Sequence, residues 1–579
     1  MHPCLSIPEI IRLVCEQLRA GGPYFAGSVN SSTLASLART SRMWSEPALD
    51  NLWYRVEGVE TFFQCMPRDL WEMAGDDLDK EFIIHRPLSV TDIRTFQKYA
   101  SRVRVFYERE YPPISAYQAL FPLCPNFLLP RLEKLNWEVH DENVFSYIRL
   151  LLCPHLKSLS IFISERASKE HLGYLSGIPT VFCPFISQLS LYFEDFPVTA
   201  LSLRDLLDTL AAWQNLSRLD LSGAPVDTLW CISKIPDLKS FRISFPGRAA
   251  GSTPLASKHF AQSTSKIENI TISEDVSIQT VANFFRKCQL TSVRHLHLTI
   301  KSSLQSLETL ELLLSSLSQQ CSAHTLEVFH FEDDGKHTYT FSQLVVPLLQ
   351  FSKLKRVTLL IPYLSGLSDQ CIAQVASSWP LLESFVIFSS DQVSHRPTVT
   401  LQSLLSLASG CPNLWELGLA IDATELTGRR EIRAHPERVT ESRNYSLRVL
   451  NVSNDSLISH KEFVASFLSD LFPNLVDIPQ SLALASPAHH ARWKYVAQVL
   501  LPILSRTKER QLKSLGLSLP QGSPPTPGIG KAVLPMFLDT SFGKTSRMLA
   551  EEAEGKDRDW SDESDGEKLT ERLRAAFGE

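Results

Sequence analysis

The 579-residue chain offers no apolar run long enough for a membrane span or a secretion signal, since its apolar start is broken by Glu9, Arg12 and Glu16. Neither a membrane partner nor a leader is therefore expected. Cysteine is sparse and unpaired in pattern: eleven residues, an odd number, with no C-x-x-C pair. Cys124, Cys153, Cys183 and Cys411 each stand just before a proline and read as small buried apolar residues at helix ends. Without a secretion signal, such a chain belongs in a reducing compartment, cytoplasm or nucleus. The Asn-x-Ser/Thr patterns at Asn30 and Asn269 then carry no glycan.

Basic concentration is also missing. The net charge of −6 is accounted for by residues 551–568, which hold nine acids and three bases. A sequence-independent nucleic-acid binder gathers lysine and arginine on one surface, so no nucleic-acid partner is expected. Catalytic signatures fail in the same way. Gly543-Lys544-Thr545 resembles the end of a phosphate loop, but Leu538 stands where the upstream glycine is required. No G-x-S-x-G elbow, H-E-x-x-H pair, calcium loop or G-x-G-x-x-G is present. An enzyme is not expected, and neither is a cofactor.

What the chain does contain is a six-residue pattern, apolar-x-x-apolar-x-apolar. Clean copies begin at Leu132, Leu156, Ile186, Leu216, Leu238, Ile267, Val293, Leu326, Leu354, Leu382, Leu414, Leu447 and Leu512. Weaker copies at Val103 and Leu475 keep the steps between 22 and 37 residues. The last two apolar residues of a copy are two apart, so both face one side of a short strand and the residue between them faces the other. Burying three such side chains contributes about 1.5–3 kcal/mol each, whereas ordering the backbone costs about 1–2 kcal/mol per residue. A single copy cannot fold alone; stacked copies share a core and pair their strands. The expected fold is α/β: parallel inner strands with outer helices.

Between the strands, helical apolar periodicity appears at 203–211 and 281–288, and helices are expected at 304–320, 368–378, 401–410 and 461–472. Pro130, Pro154, Pro184, Pro236, Pro380, Pro412 and Pro473 each stand two residues before a copy and end whatever helix precedes. The register is thus marked independently of the leucines.

The front of the chain differs. Leu5, Ile7, Pro8, Glu9, Ile10 and Ile11 lead to Val14, Cys15 and Leu18; after a Gly/Ser/Asn stretch at 21–32 come Leu34, Leu37, Ala38, Ser41 and Trp44, then Leu49, Leu52 and Trp53. Three short helices are expected, too few to bury so many large apolar groups among themselves. L-x-I-P-E-I-I, then L-x-x-L-A-x-T-S-x-x-W, then L-x-x-L-W resembles an F-box over residues 5–53. Residues 19–32 are longer and richer in glycine than the usual link between its first two helices. The resemblance implies docking on the Skp adaptor of a cullin-RING ubiquitin ligase, with leucine-rich repeats holding a protein substrate. On matching positions, the adaptor face would be Leu5, Ile7, Pro8, Ile10, Ile11, Leu18, Leu34, Leu37, Trp44, Leu52 and Trp53. The competing reading is that these residues are simply the core of a small helical domain. Residues 54–102, with Phe62, Phe63, Leu70, Trp71 and a helix expected at 90–100, resemble the connector of fungal F-box proteins with degenerate repeats and would cap the open end of the array.

Strand parity predicts the free surface. One column runs Asn136, Ser160, Ser190, Asp220, Arg242, Thr271, His297, His330, Thr358, Val386, Gly418 and Asn451; the next runs Glu138, Phe162, Tyr192, Ser222, Ser244, Ser273, Thr299, Glu332, Leu360, Phe388, Ala420 and Ser453. Strands about 4.8 Å apart give a path of roughly 70 Å, long enough for an extended protein segment. Phe162, Tyr192, Arg242, Arg356 and Phe388 are the expected substrate anchors, because aromatic and arginine side chains dominate interface energetics. The competing reading of each is ordinary strand decoration. His295, His297 and His330 fall near one another with Glu332 beside them, but the spacing is irregular and no metal is expected.

The domain organisation read from the chain is 1–53 F-box-like, 54–102 connector, 103–519 repeat solenoid and 520–579 Pro/Gly linker with an acidic, disordered tail. The tail's Ser561 and Ser564 are each followed by acids and would suit an acid-directed kinase, but the favoured reading is an unmodified, solubilising tail. The function expected is a non-catalytic substrate receptor; a scaffold outside any ligase and an enzyme using the free face are the rivals.

Overall fold

The computed structural model describes residues 7–20, 27–74, 81–108, 111–123, 127–138, 141–163, 177–178, 182–193, 213, 215–223, 228–232, 235–245, 266–273, 278–300, 307–333, 338–389, 396–424, 436–452, 456–479 and 487–506. All belong to the first of the chain's two units, Met1–Gly522. The helix expected at 203–211, the copy at Leu512, Cys124, Ser453 and everything read into 520–579 lie outside the described residues.

Each repeat begins with a turn. Pro130, Pro154, Pro184, Pro380, Pro412 and Pro473 occupy the second position of turns closed by Leu132 N to Leu129 O, Leu156 N to Cys153 O, Ile186 N to Cys183 O, Leu382 N to Trp379 O, Leu414 N to Cys411 O and Leu475 N to Phe472 O. The proline ring presets the φ which that position needs. The cysteine ahead of it does more than fill space. Cys153 Sγ donates to Leu132 O at 3.2 Å, Cys183 Sγ to Cys153 O at 3.3 Å and Cys411 Sγ to Trp379 O at 3.5 Å. Asn444 and Asn474 make the stronger amide version, to Cys411 O at 2.9 Å and Tyr445 O at 2.8 Å. Each turn is thereby tied to the turn of the preceding repeat.

The strands follow as one open, wholly parallel sheet in chain order: β1 (Arg55–Glu57), β2 (Val105–Glu108), β3 (Lys134–Trp137), β4 (Ser158–Ile163), β5 (Gln188–Phe193), β6 (Arg218–Ser222), β7 (Ser240–Ser244), β8 (Asn269–Ser273), β9 (His295–Ile300), β10 (Val328–Asp333), β11 (Arg356–Ile361), β12 (Ser384–Ser389), β13 (Glu416–Leu419) and β14 (Val449–Val452). One strand per repeat, every neighbour parallel, is the architecture of a leucine-rich-repeat solenoid. Its first strand lies inside the segment read as connector, so 54–102 supplies the edge of the sheet. The weak copy at Leu475 adds only a bridge, Val449 to Asp477.

A second regularity was hidden among the polar positions. The residue just before each strand donates its amide to its counterpart in the preceding repeat, from Arg104 on Tyr54 through to Val476 on Arg448, at 2.6–3.0 Å. The next residue donates to the same carbonyl, so both lone pairs of each oxygen are used. Opposite charges meet at two places along this row: Glu133 pairs with Lys157 at 3.2 Å, and Glu327 pairs with Lys355 at 2.7 Å and Arg294 at 3.5 Å. The hydrogen bond from Lys355 holds Glu327 below the ordinary carboxylate range. Partly exposed pairs contribute only about 0–1 kcal/mol each.

The inward pairs, Leu135 with Trp137 through Leu417 with Leu419, are buried. β2 explains why the copy at Val103 is weak. Glu108 occupies the second inward place, 1 % exposed, and its carboxylate accepts from the buried Tyr117 hydroxyl. Burial, reinforced by the Glu108 charge and hydrogen bond, pushes the Tyr117 phenol well up.

The helices arise where expected. α1 (Pro8–Ala20), α2 (Gly27–Thr40) and α3 (Arg42–Leu52) form the front unit, and α2 takes in part of the glycine-serine stretch read as a link. α4 (Val90–Ala100) starts with a reciprocal Ser89–Asp92 capping box. Arg86 Nη1 bonds Asp92 at 2.7 Å and holds its carboxyl down to about 2. Outer helices α5 (Ile278–Lys287) and α6 (Leu307–Gln320) pack together, as do α7 (Asp369–Ser378) and α8 (Leu401–Gly410), with α9 (Lys461–Leu471) beyond. Asp369 in the first turn of α7 accepts from Thr400 N at 2.7 Å and Thr400 Oγ1 at 2.6 Å, fixing the residue that caps α8. No helix among the described residues is long and apolar enough to cross a membrane.

Candidate functional site

The front unit closes on its own core. Ile11, Cys15, Leu34, Trp44 and Ala48 are buried together, with Val14, Leu18, Leu37, Ala38 and Leu52 packed around them. Trp53 is 8 % exposed and stacks on Tyr99 and Phe62, with centroids 4.4 and 5.6 Å away. Arg102 pairs with Glu46 at 2.5 Å and with Asp50, joining α3 to the turn ahead of β2.

This sorts the expected adaptor face. Ile7 and Pro8 are exposed; Ile10, Leu18, Leu37 and Leu52 are half-buried; Leu5 lies outside the described residues. Ile11, Leu34, Trp44 and Trp53 are buried in the free chain. The expectation of surplus apolar surface left out Phe62, Phe96 and Tyr99, which enlarge the core from outside the first 53 residues. Leu13 and Met43, 57 % and 45 % exposed, are surface apolar residues that the motif did not mark.

On the sheet, the first predicted column holds throughout: each of its residues from Asn136 to Asn451 stands directly opposite the next. The second column pairs from Phe162 through Ser273 and from Thr299 through Phe388. Parity alone placed these side chains, because a strand turns each successive residue to the opposite face.

The open face changes character along the sheet. Near its start, Phe162 and Tyr192 are cross-strand neighbours and Asp220 stands opposite Arg242. Tyr192 and Arg242 are exposed. Burial pushes the Asp220 carboxyl up against the pull of Arg242, whose Nη1 lies 3.9 Å away. Burial, and then the Asp220 charge, raise the Tyr192 phenol. The middle of the face carries His295, His297, His330 and Glu332. Burial first, then the neighbouring His330 and Arg242, push His297 down to about 3. Towards the far end the face turns apolar: Val386 is buried, and a Cβ on Gly418 would meet Val386 Cγ1 at 3.1 Å and Phe388 Cζ at 3.3 Å. Phe388 therefore lies across Gly418 and is half-buried, while Arg356 sits in a different column with its Nε 3.8 Å from Glu383.

Of the five expected anchors, the structure thus gathers Phe162, Tyr192 and Arg242 in one region. Phe388 stands seven strands beyond Tyr192, roughly 34 Å at the usual strand spacing, and Arg356 six strands beyond it.

No protein-family model and no curated protein matches the chain. Among solved structures, a chain from the Rad7 and Elc1 complex of yeast is similar over 78 % of this chain and 90 % of that one, at 16 % identity and a TM-score of 0.37. An internalin from Listeria monocytogenes is similar over 64 % and 90 %, at 14 % identity and a TM-score of 0.31. The leucine-rich repeat-containing protein LegL7 from Legionella pneumophila is similar over 64 % and 97 %, at 13 % identity and a TM-score of 0.28.

Proposed function

We propose that the protein is the substrate-recognition subunit of a Skp-cullin-F-box ubiquitin ligase. In this reading α1 to α3 dock the Skp adaptor, and the open face of the sheet holds a protein for ubiquitination by other subunits. The protein itself catalyses nothing. The reading is supported by one juxtaposition: three helices carrying the F-box-like residues run directly into the edge strand of a sheet whose open-face column stays in register from Asn136 to Asn451. The helices would supply the attachment, and the register a rigid ledge at a set distance from it.

On that ledge Tyr192 and Arg242 are the candidate anchors, because they are exposed in the free protein and would lose water only on binding. The test is co-purification with the ligase inhibited. Wild-type protein should retain the Skp adaptor and a cullin; Ile7→Asp with Leu13→Asp should lose both while keeping the fold. Tyr192→Ala with Arg242→Ala should keep adaptor and cullin and lose the substrate. Failure of wild-type protein to retain the adaptor would end the ligase reading.

A second reading is an interaction scaffold outside any ligase. The burial of Ile11, Leu34, Trp44 and Trp53 favours it, since a helical unit with a closed core can serve purely as an end cap. Loss of adaptor binding with retention of a partner on the open face would support that alternative.

A further inference from the structure

His297 and His330 stand directly opposite one another on β9 and β10, and Thr299 and Glu332 form the next open-face pair of the same strands. The imidazole rings stack with centroids 3.8 Å apart and planes 27° from parallel. Both rings reach towards the same carboxylate. His330 Nε2 lies 3.8 Å from Glu332 Oε2. His297 Nε2 lies 3.1 Å from Thr299 Oγ1, which donates to Glu332 Oε2 at 3.3 Å. One donor atom from each of His297, His330 and Glu332 falls within 4.8 Å of the others.

We propose that His297, His330 and Glu332 bind a transition-metal dication of the zinc class, with a further coordination position open on the exposed face of the sheet. The donor set selects the ion. Two imidazoles and one carboxylate suit Zn²⁺, Co²⁺, Ni²⁺ or Cu²⁺, whereas Ca²⁺ and Mg²⁺ are held by oxygen ligands. An ion about 2.0–2.2 Å from each donor keeps tetrahedral ligands roughly 3.3–3.6 Å apart. Donors now within 4.8 Å of one another need to converge by no more than about 1.2–1.5 Å, which side-chain torsions can supply.

Binding also opens the ring stack, because the lone pairs of stacked imidazoles run side by side and one ring must tip for both to converge. The backbone need not move, since adjacent paired strands carry all three ligands. Thr299 is placed to keep its hydrogen bond to Glu332 and so orient the carboxylate. His295, grouped with the other histidines on spacing alone, stands opposite Val328 and outside the donor cluster. The carboxylate takes its place. This site does not depend on the ligase reading.

The experiment is a titration of full-length, chelator-stripped protein with Co²⁺, followed by visible d–d absorption and then displaced with Zn²⁺. Wild type and His295→Ala should show one saturable, zinc-displaceable signal. His297→Gln and His330→Gln should abolish it. Glu332→Gln, nearly the same shape as the native residue, should weaken Co²⁺ binding by about 10-fold or more. Circular dichroism and the thermal transition of each apo variant establish that it is folded. Absence of the signal in wild type, its persistence in folded His297→Gln or His330→Gln, or unchanged affinity in Glu332→Gln would each overturn the proposal.

Discussion

Trp53 stacks on Tyr99 with ring centroids 4.4 Å apart and planes 21° from parallel. The residue that closes the F-box-like pattern is thus a core residue shared with α4, and Phe62 and Phe96 extend the same aromatic layer. Trp53→Ala should therefore act on folding before it acts on any partner. A buried tryptophan cut to alanine costs about 3–5 kcal/mol, so the urea midpoint should fall sharply. Exposed Ile7→Ser should shift stability by no more than about 0.5 kcal/mol. Equal urea curves for wild type and Trp53→Ala would contradict the stack.

The buried cysteines give a chemical readout of stacking. Burial pushes the Cys183, Cys288, Cys321 and Cys411 thiols up to about 12, so roughly one in ten thousand is thiolate at pH 8. Iodoacetamide at that pH should modify exposed Cys65 in the native protein and spare these four until urea opens the array. Peptide mass spectrometry reads the difference. Native-state modification of Cys183 at the rate of Cys65 would mean that the turns are not stacked.

His297 predicts an acid dependence distinct from that of the carboxylates. Its folded value of about 3 lies below the ordinary 6.5, so between those limits the unfolded chain binds the proton that the folded chain refuses. Stability is full above pH 6.5 and falls as pH drops through the window, by no more than about 1.4 kcal/mol per pH unit for one group. Urea unfolding of metal-free protein between pH 6.5 and 4.5 should show this slope, and His297→Gln should flatten it. An unchanged slope in the variant would place the titration elsewhere.

Gly223 sits at φ +73° after β6, with its amide bonded to Ser244 O at 2.9 Å, and a Cβ there would come 2.2 Å from the Phe193 carbonyl oxygen. Gly223→Ala should cost at least about 1–3 kcal/mol from backbone strain alone. Gly418→Ala, which meets side-chain atoms at 3.1 and 3.3 Å, should cost less. Thermal melts of the two variants should rank in that order.

Strand positions, inward pairs and the open-face columns were legible in the amino-acid sequence, because a period of two decides which side a residue faces and the recurring six-residue spacing decides what lies beside it. Asn136, Ser160 and Ser190 could be aligned on that ground before any coordinates. The turn prolines marked the same register through a local φ preference. Tertiary structure alone decided matters that turn on distant groups. Burial of Trp53 depends on Tyr99 and Phe62, toleration of Glu108 in the core depends on the Tyr117 hydroxyl, and it is Glu332, not His295, that gathers with the histidine pair once the side chains are placed. Local spacing encodes a face; whether a group on that face meets solvent, a ring or another ligand is settled only when non-local packing and rotamers are in place.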